Sequence, residues 1–116
     1  MKVDELEKID VGRVALRADS LEALRAEIVT YVEMYFDRVT RPVAFVVISR
    51  RWGKRARRLG VSIRALVLNE PALDVRETTR GALVLFSRRL LNEAFPPDEE
   101  NRDVLLGNFF RVFDCI

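Results

Sequence analysis

A chain of 116 residues, 49% apolar and 33% charged, is long enough to bury one core and too apolar for disorder. No apolar run approaches the ~20 residues of a membrane-spanning helix, and the acidic, polar opening from Met1 to Asp10 is not that of a secretory signal. A formal net charge of +2 argues neither for nor against a polyanionic partner.

The absence of His removes imidazole general bases, Ser-His and Cys-His nucleophile pairs, and zinc sites built on His. Cys115, the only cysteine, forms no cysteine cage within one chain and fits a reducing cytoplasm. Of 20 basic residues, all but Lys2, Lys8 and Lys54 are Arg, and Gln is missing. That composition fits a GC-rich genome or a thermophile, where amide side chains are avoided.

The polar lead-in Met1–Val11 ends at Gly12. Arg13–Ala18 alternates, with Val14, Leu16 and Ala18 opposed to Arg13, Ala15 and Arg17, and predicts a half-buried edge strand. Asp19 as N-cap with Glu22 three residues on predicts a helix start. The helix that follows carries Leu21, Leu24, Ile28, Tyr31, Val32, Tyr35 and Phe36 at spacings of three and four. Thr40 and Pro42 bound it.

The unbroken run Val43–Ile48 predicts a central strand covered on both faces. With the strand and helix before it, it makes a βαβ unit with parallel strands and a right-handed crossover. Ser49–Gly60 reads as a short helix, with Trp52, Ala56 and Leu59 on one side and Gly60 at its end, or as an irregular loop. Val61–Leu68 predicts a third strand, with Ile63, Ala65 and Val67 on one side.

Asn69–Glu77 is a turn-rich connection containing Pro71. Thr78 or Thr79 can cap a helix to about Asn92, with Leu83, Phe86, Leu90, Leu91 and Ala94 as its apolar face. Leu83–Phe86 alone also fits a short strand, and the longer pattern favours the helix. Pro96-Pro97 stops it, and Asp98-Glu99-Glu100 lead into a last helix, where acids complement the dipole. That helix has Leu105, Phe109, Val112 and Ile116 on one stripe, with Leu106, Phe110 and Phe113 beside it. The sum is a single α/β domain over residues 1–116, in β-α-β-(α)-β-α-α order, with a sheet of three or more strands and helices packed on it.

Six of the nine residues from Arg50 to Arg58 are basic. Arg50, Arg51, Lys54, Arg55, Arg57 and Arg58 surround Trp52, and a basic run beside an aromatic suits phosphate contacts and base stacking. The plainer reading is a solvated connection paired with acids such as Glu22, Glu27, Glu33 and Asp37, with Trp52 as a buried anchor. Glu70, Asp74 and Glu77 lie close enough in sequence to suggest a Mg²⁺ or Mn²⁺ site acting on a phosphodiester, but match no metal-loop spacing and read as a polar loop. The five glycines stand singly, so no phosphate-cradling loop is present. Phe109, Phe110 and Phe113 with Leu105, Leu106 and Val112 give the last helix more apolar circumference than one packing face needs. They predict either a central core position or a homodimer contact, with Leu106, Phe109, Phe110 and Phe113 as its interface.

The expectation is therefore a small non-enzymatic cytoplasmic protein with no catalytic residue, cofactor or metal ligand set. It binds nucleic acid or another polyanion through the Arg-rich connection. The alternative is an interaction subunit that self-associates, or joins a larger assembly, through its C-terminal helix.

Overall fold

The computed structural model describes residues 20–115. The lead-in Met1–Val11, Gly12, the alternating Arg13–Ala18, Asp19 and Ile116 lie outside the described residues. Helix α1 (Leu21–Val39) is capped by Ser20, whose extended backbone (φ −92°, ψ 169°) lets its hydroxyl accept from the Ala23 N–H at 3.1 Å. Ser20 thus takes the N-cap role expected of Asp19, leaving Glu22 in the first turn as an acid favourable to the helix dipole. α1 buries Leu24, Ile28, Val32 and Phe36 along its length. It ends at Thr40, a left-handed residue (φ 57°) whose N–H donates to the Phe36 carbonyl at 2.8 Å.

The fold class is α/β, with a three-stranded sheet and helices packed on it. Several individual elements differ from the sequence expectation. The run Val43–Ile48 is a strand only at its start, β1 (Val43–Ala44), and from Phe45 the chain turns into helix α2 (Phe45–Arg58). Ile48, Trp52 and Ala56 recur every four residues and form one buried stripe, while Val46 and Val47 are 50% and 38% exposed. A strand covered on both faces would have buried all of them. Gly60 closes the helix in the left-handed region (φ 76°), which favours glycine.

Val61–Leu68 is likewise not a strand. The Ser62 hydroxyl accepts from the Ala65 N–H at 3.3 Å and starts helix α3 (Ile63–Leu68). Of the row Ile63, Ala65 and Val67, only Val67 is buried. The connection Asn69–Glu77 contains strand β2 (Leu73–Glu77), and the expected helix over Thr78–Asn92 is instead strand β3 (Leu83–Ser87) followed by helix α4 (Arg88–Ala94). Thr78 and Gly81 build the hairpin turn: the Ala82 N–H donates to Thr78 Oγ1 at 3.1 Å, the Thr78 N–H donates to the Ala82 carbonyl at 2.7 Å, and Gly81 has φ 83°. Helix α5 (Arg102–Val112) follows, and beyond it Cys115 bridges back to Thr78.

Among the described residues the sheet order is β1-β3-β2, antiparallel throughout, so β3 lies between two strands and the strand at Val43 is at an edge rather than central. Among the described residues β1 pairs only with β3, and no parallel pair is present. Successive residues of β3 serve different cores, as the period of two in a strand requires. Leu85 joins Leu24, Ile28, Val32, Val43, Ile48, Trp52, Ala56, Val67 and Leu73. Phe86 joins Phe36, Leu91, Phe110 and Cys115, with Val84 packed against them.

Candidate nucleic-acid interface

α2 divides its circumference sharply. Ile48, Trp52 and Ala56 are 0%, 6% and 0% exposed and face α1, where the Trp52 and Tyr31 rings meet edge to face at 5.3 Å. Arg50, Arg51, Lys54, Arg57 and Arg58 are all exposed on the other side. At about 100° per residue these five cover roughly a third of the helix circumference, and Arg50 to Arg58 spans about 12 Å of axis.

Arg55 sits between the two sides and belongs to the fold: its guanidinium meets Glu27 of α1 at 2.5 Å. Arg51 lies over the aromatic pair, its guanidinium carbon 5.1 Å from the Tyr31 ring centre and 5.0 Å from that of Trp52. Trp52 is therefore a buried anchor, and the expected stacking surface for a base is not offered: its ring is packed on Tyr31 and covered by Arg51. The plainer expectation, a solvated connection paired with acids and anchored by a buried Trp52, holds for the buried Trp52 and for the exposed cations, and its pairing with the long helix is made by Arg55 to Glu27. Among the described residues no ion pair involves Arg50, Arg51, Lys54, Arg57 or Arg58.

Cations at the end of a helix stabilise its dipole, which accounts for Arg57 and Arg58. It does not account for Arg50, Arg51 and Lys54, further up. Arg50, Lys54 and Arg58 also follow one another at intervals of four, an arrangement in which like charges destabilise a helix by about 0.2–0.5 kcal/mol per pair. Along the row Arg50, Lys54 and Arg58 the charge density works against the helix, and an external anion would neutralise it.

The sequence carried a wider signal than the cluster. From Arg38 to Asn69 there are nine cations and no carboxylate. This acid-free stretch adds Arg38 on α1, Arg41 before β1 and Arg64 on α3, all exposed.

The other candidates are placed differently. Glu70 and Asp74 line an open cleft of about 600 Å³ with Arg76 and Arg88. Both carboxylates are taken up: Glu70 accepts from Arg25 Nε at 2.6 Å and from the Ala72 N–H at 3.3 Å, and Asp74 accepts from Arg76 Nε at 2.7 Å. Among the described residues no three acidic, Cys or His side chains are grouped to hold a metal ion.

Leu106, Phe109, Phe110 and Phe113, the expected interface, turn inward onto Phe86. Its ring lies 5.9 Å from Phe109, 5.1 Å from Phe110 and 5.7 Å from Phe113. Of the apolar residues expected to exceed one packing face, Leu105 and Val112 are the exposed ones, and Val104 is exposed beside them. No helix among the described residues is long and apolar enough to cross a membrane. No protein-family model, curated protein or solved structure matches the chain.

Proposed function

We propose that the protein is a small non-enzymatic polyanion-binding module whose contact surface is the exposed side of α2, with nucleic acid as the partner. The observation that carries this reading is the row of five exposed cations, Arg50, Arg51, Lys54, Arg57 and Arg58, with no carboxylate partner among the described residues. Arg supplies planar donors suited to phosphate oxygens. The unpaired Cys115 supports a cytoplasmic location, and the Arg-rich, Gln-free composition fits a GC-rich genome, with a hot habitat as its further reading.

The test is salt-dependent binding of a fluorescent oligonucleotide by wild type and by the triple variant Arg50→Ala/Lys54→Ala/Arg57→Ala. The log–log salt slope should shrink by about 2–3 in the variant, close to one unit for each phosphate that no longer meets a cation. Unchanged affinity and slope would remove α2 as the contact surface.

A second reading, self-association, rests on the outer side of α5. Val104 and Val112 are 64% and 76% exposed, and Leu105 is exposed beside them. Charging this side with Val112→Glu should turn a dimer into a monomer in sedimentation equilibrium. A wild-type chain that is monomeric at high concentration ends that reading.

A further inference from the structure

Resting on the reading of α2 as a polyanion-binding surface, the geometry points to one class of partner: double-stranded nucleic acid, held by its phosphates without reading of its bases. Three observations lead there. The first concerns aromatics. All ten Phe, Tyr and Trp side chains lie among the described residues, and none is exposed. Proteins that hold single strands draw much of their affinity from bases stacked on aromatic platforms beside a basic groove. Here the one aromatic pair beside the basic row is already occupied. Trp52 is 6% exposed, its ring meets Tyr31 edge to face, and Arg51 covers both rings at 5.0 and 5.1 Å. A guanidinium plane can itself stack on a base, but that of Arg51 is already engaged with its own rings.

The second observation is the rigidity and length of the row. Arg50, Lys54, Arg57 and Arg58 project from one helix that is anchored through Ile48, Trp52 and Ala56, over about 12 Å of axis. A duplex presents about seven phosphate charges over that length, one per ~1.7 Å of its own axis, already ordered on a stiff rod. A single strand carries about half that linear density and has to be ordered against the protein without help from stacking.

The third observation is what the exposed side of α2 lacks. Base edges are told apart chiefly by Asn, Gln, Asp, Glu, Ser and Thr, together with bidentate Arg. The exposed residues of α2 are Val46, Val47, Arg50, Arg51, Lys54, Arg57 and Arg58. Arg and Lys read guanine at most, and with no side chain to distinguish adenine or cytosine the contacts open to every sequence are those to the backbone, which position a protein but do not specify a sequence.

Fluorescence anisotropy tests this with labelled duplexes of about 20 base pairs in AT-rich, GC-rich and mixed sequence, their separated strands, and inorganic polyphosphate as competitor, at about 50 and 200 mM salt. The duplexes should bind at least about fivefold tighter than the strands and agree among themselves within about twofold, with a log–log salt slope of about −3 to −4 for four phosphate contacts. A single strand bound as tightly as its duplex overturns the double-strand assignment and leaves the polyanion surface in place. A difference beyond about tenfold between duplexes overturns recognition by backbone alone. Polyphosphate bound with no oligonucleotide bound overturns nucleic acid as the partner. No binding of any of these overturns the polyanion reading itself.

Discussion

The guanidinium carbon of Arg51 sits 5.0 Å from the centre of the Trp52 ring, folded over the side chain of its own neighbour in sequence. The two side chains join the exposed and buried sides of α2, and their substitutions should separate. Trp52→Ala empties a core position and should cost about 3–5 kcal/mol. Arg51→Ala removes a cation–π contact at an exposed site and should cost about 0.5–1 kcal/mol. Urea titrations followed by far-ultraviolet circular dichroism would measure both. Comparable losses would mean that Trp52 is not the anchor of the helix.

Phe86 is the hub of the second core, in ring contact with Phe36, Phe109, Phe110 and Phe113. Its removal strands four partners at once. Phe86→Ala should lose about 3–5 kcal/mol, a large part of the ~5–15 kcal/mol typical of a whole domain. Phe86→Leu, which keeps most of the volume, should lose much less. A loss under about 1 kcal/mol for Phe86→Ala would show that α5 is not held through this ring.

Arg25 of α1 and Glu70, in the link between α3 and β2, meet at 2.6 Å, and the Glu70 side chain is only 13% exposed. Glu70 also receives the Ala72 N–H, so it fixes the start of β2 as well as the pair. Glu70→Ala should cost about 1–3 kcal/mol, since it leaves a charge and a partly buried N–H without their acceptor. A double-mutant cycle with Arg25→Ala should return a coupling of about 0.5 kcal/mol or more. Additive losses would assign the effect to Glu70 and the backbone alone.

Burial pushes the Cys115 thiol above its ordinary pKa of 9.0; nearby Arg76 opposes the shift, and Asp114 and Asp74 add to it. The folded chain thus holds this proton to a higher pH than the unfolded one. The associated stability is complete below the unfolded thiol's pKa and is lost as the pH rises through the folded value. Between about pH 8 and pH 10 the urea midpoint of the wild type should fall further than that of Cys115→Ala. Alkylation by iodoacetamide at about pH 8 should be slow in the native protein and fast in urea. Equal midpoint shifts would show that the thiol takes no part in the alkaline loss.

Much of this was legible in the chain, and the misreadings have one cause. α1 was legible because its apolar period persists over about five turns, and the stop at Pro96-Pro97 because proline acts locally. The runs Val43–Ile48, Val61–Leu68 and Leu83–Ser87 are each short and rich in β-branched or aliphatic residues, a pattern on which helix and strand agree. Their outcome was set by distant partners. Phe45–Ile48 became helical because Ile48 continues the stripe of Trp52 and Ala56 onto α1, and Leu83–Ser87 became a strand because β1 and β2 flank it on both sides. The basic residues of the site were legible as a cluster. Which of them remain exposed was not, because that depends on Glu27 reaching Arg55 and on Tyr31 receiving Trp52, contacts made across two helices.

The ring cluster at Phe86 also sets a schedule for synthesis. Its covering rings end with Phe113, 27 residues after Phe86. Until Phe109, Phe110 and Phe113 are made, Phe36 of α1 is the one of these four ring partners that can reach Phe86. A β-hairpin forms in about 1–10 μs, so the pairing of β2 with β3 does not wait for α5, whereas closure of the second core does.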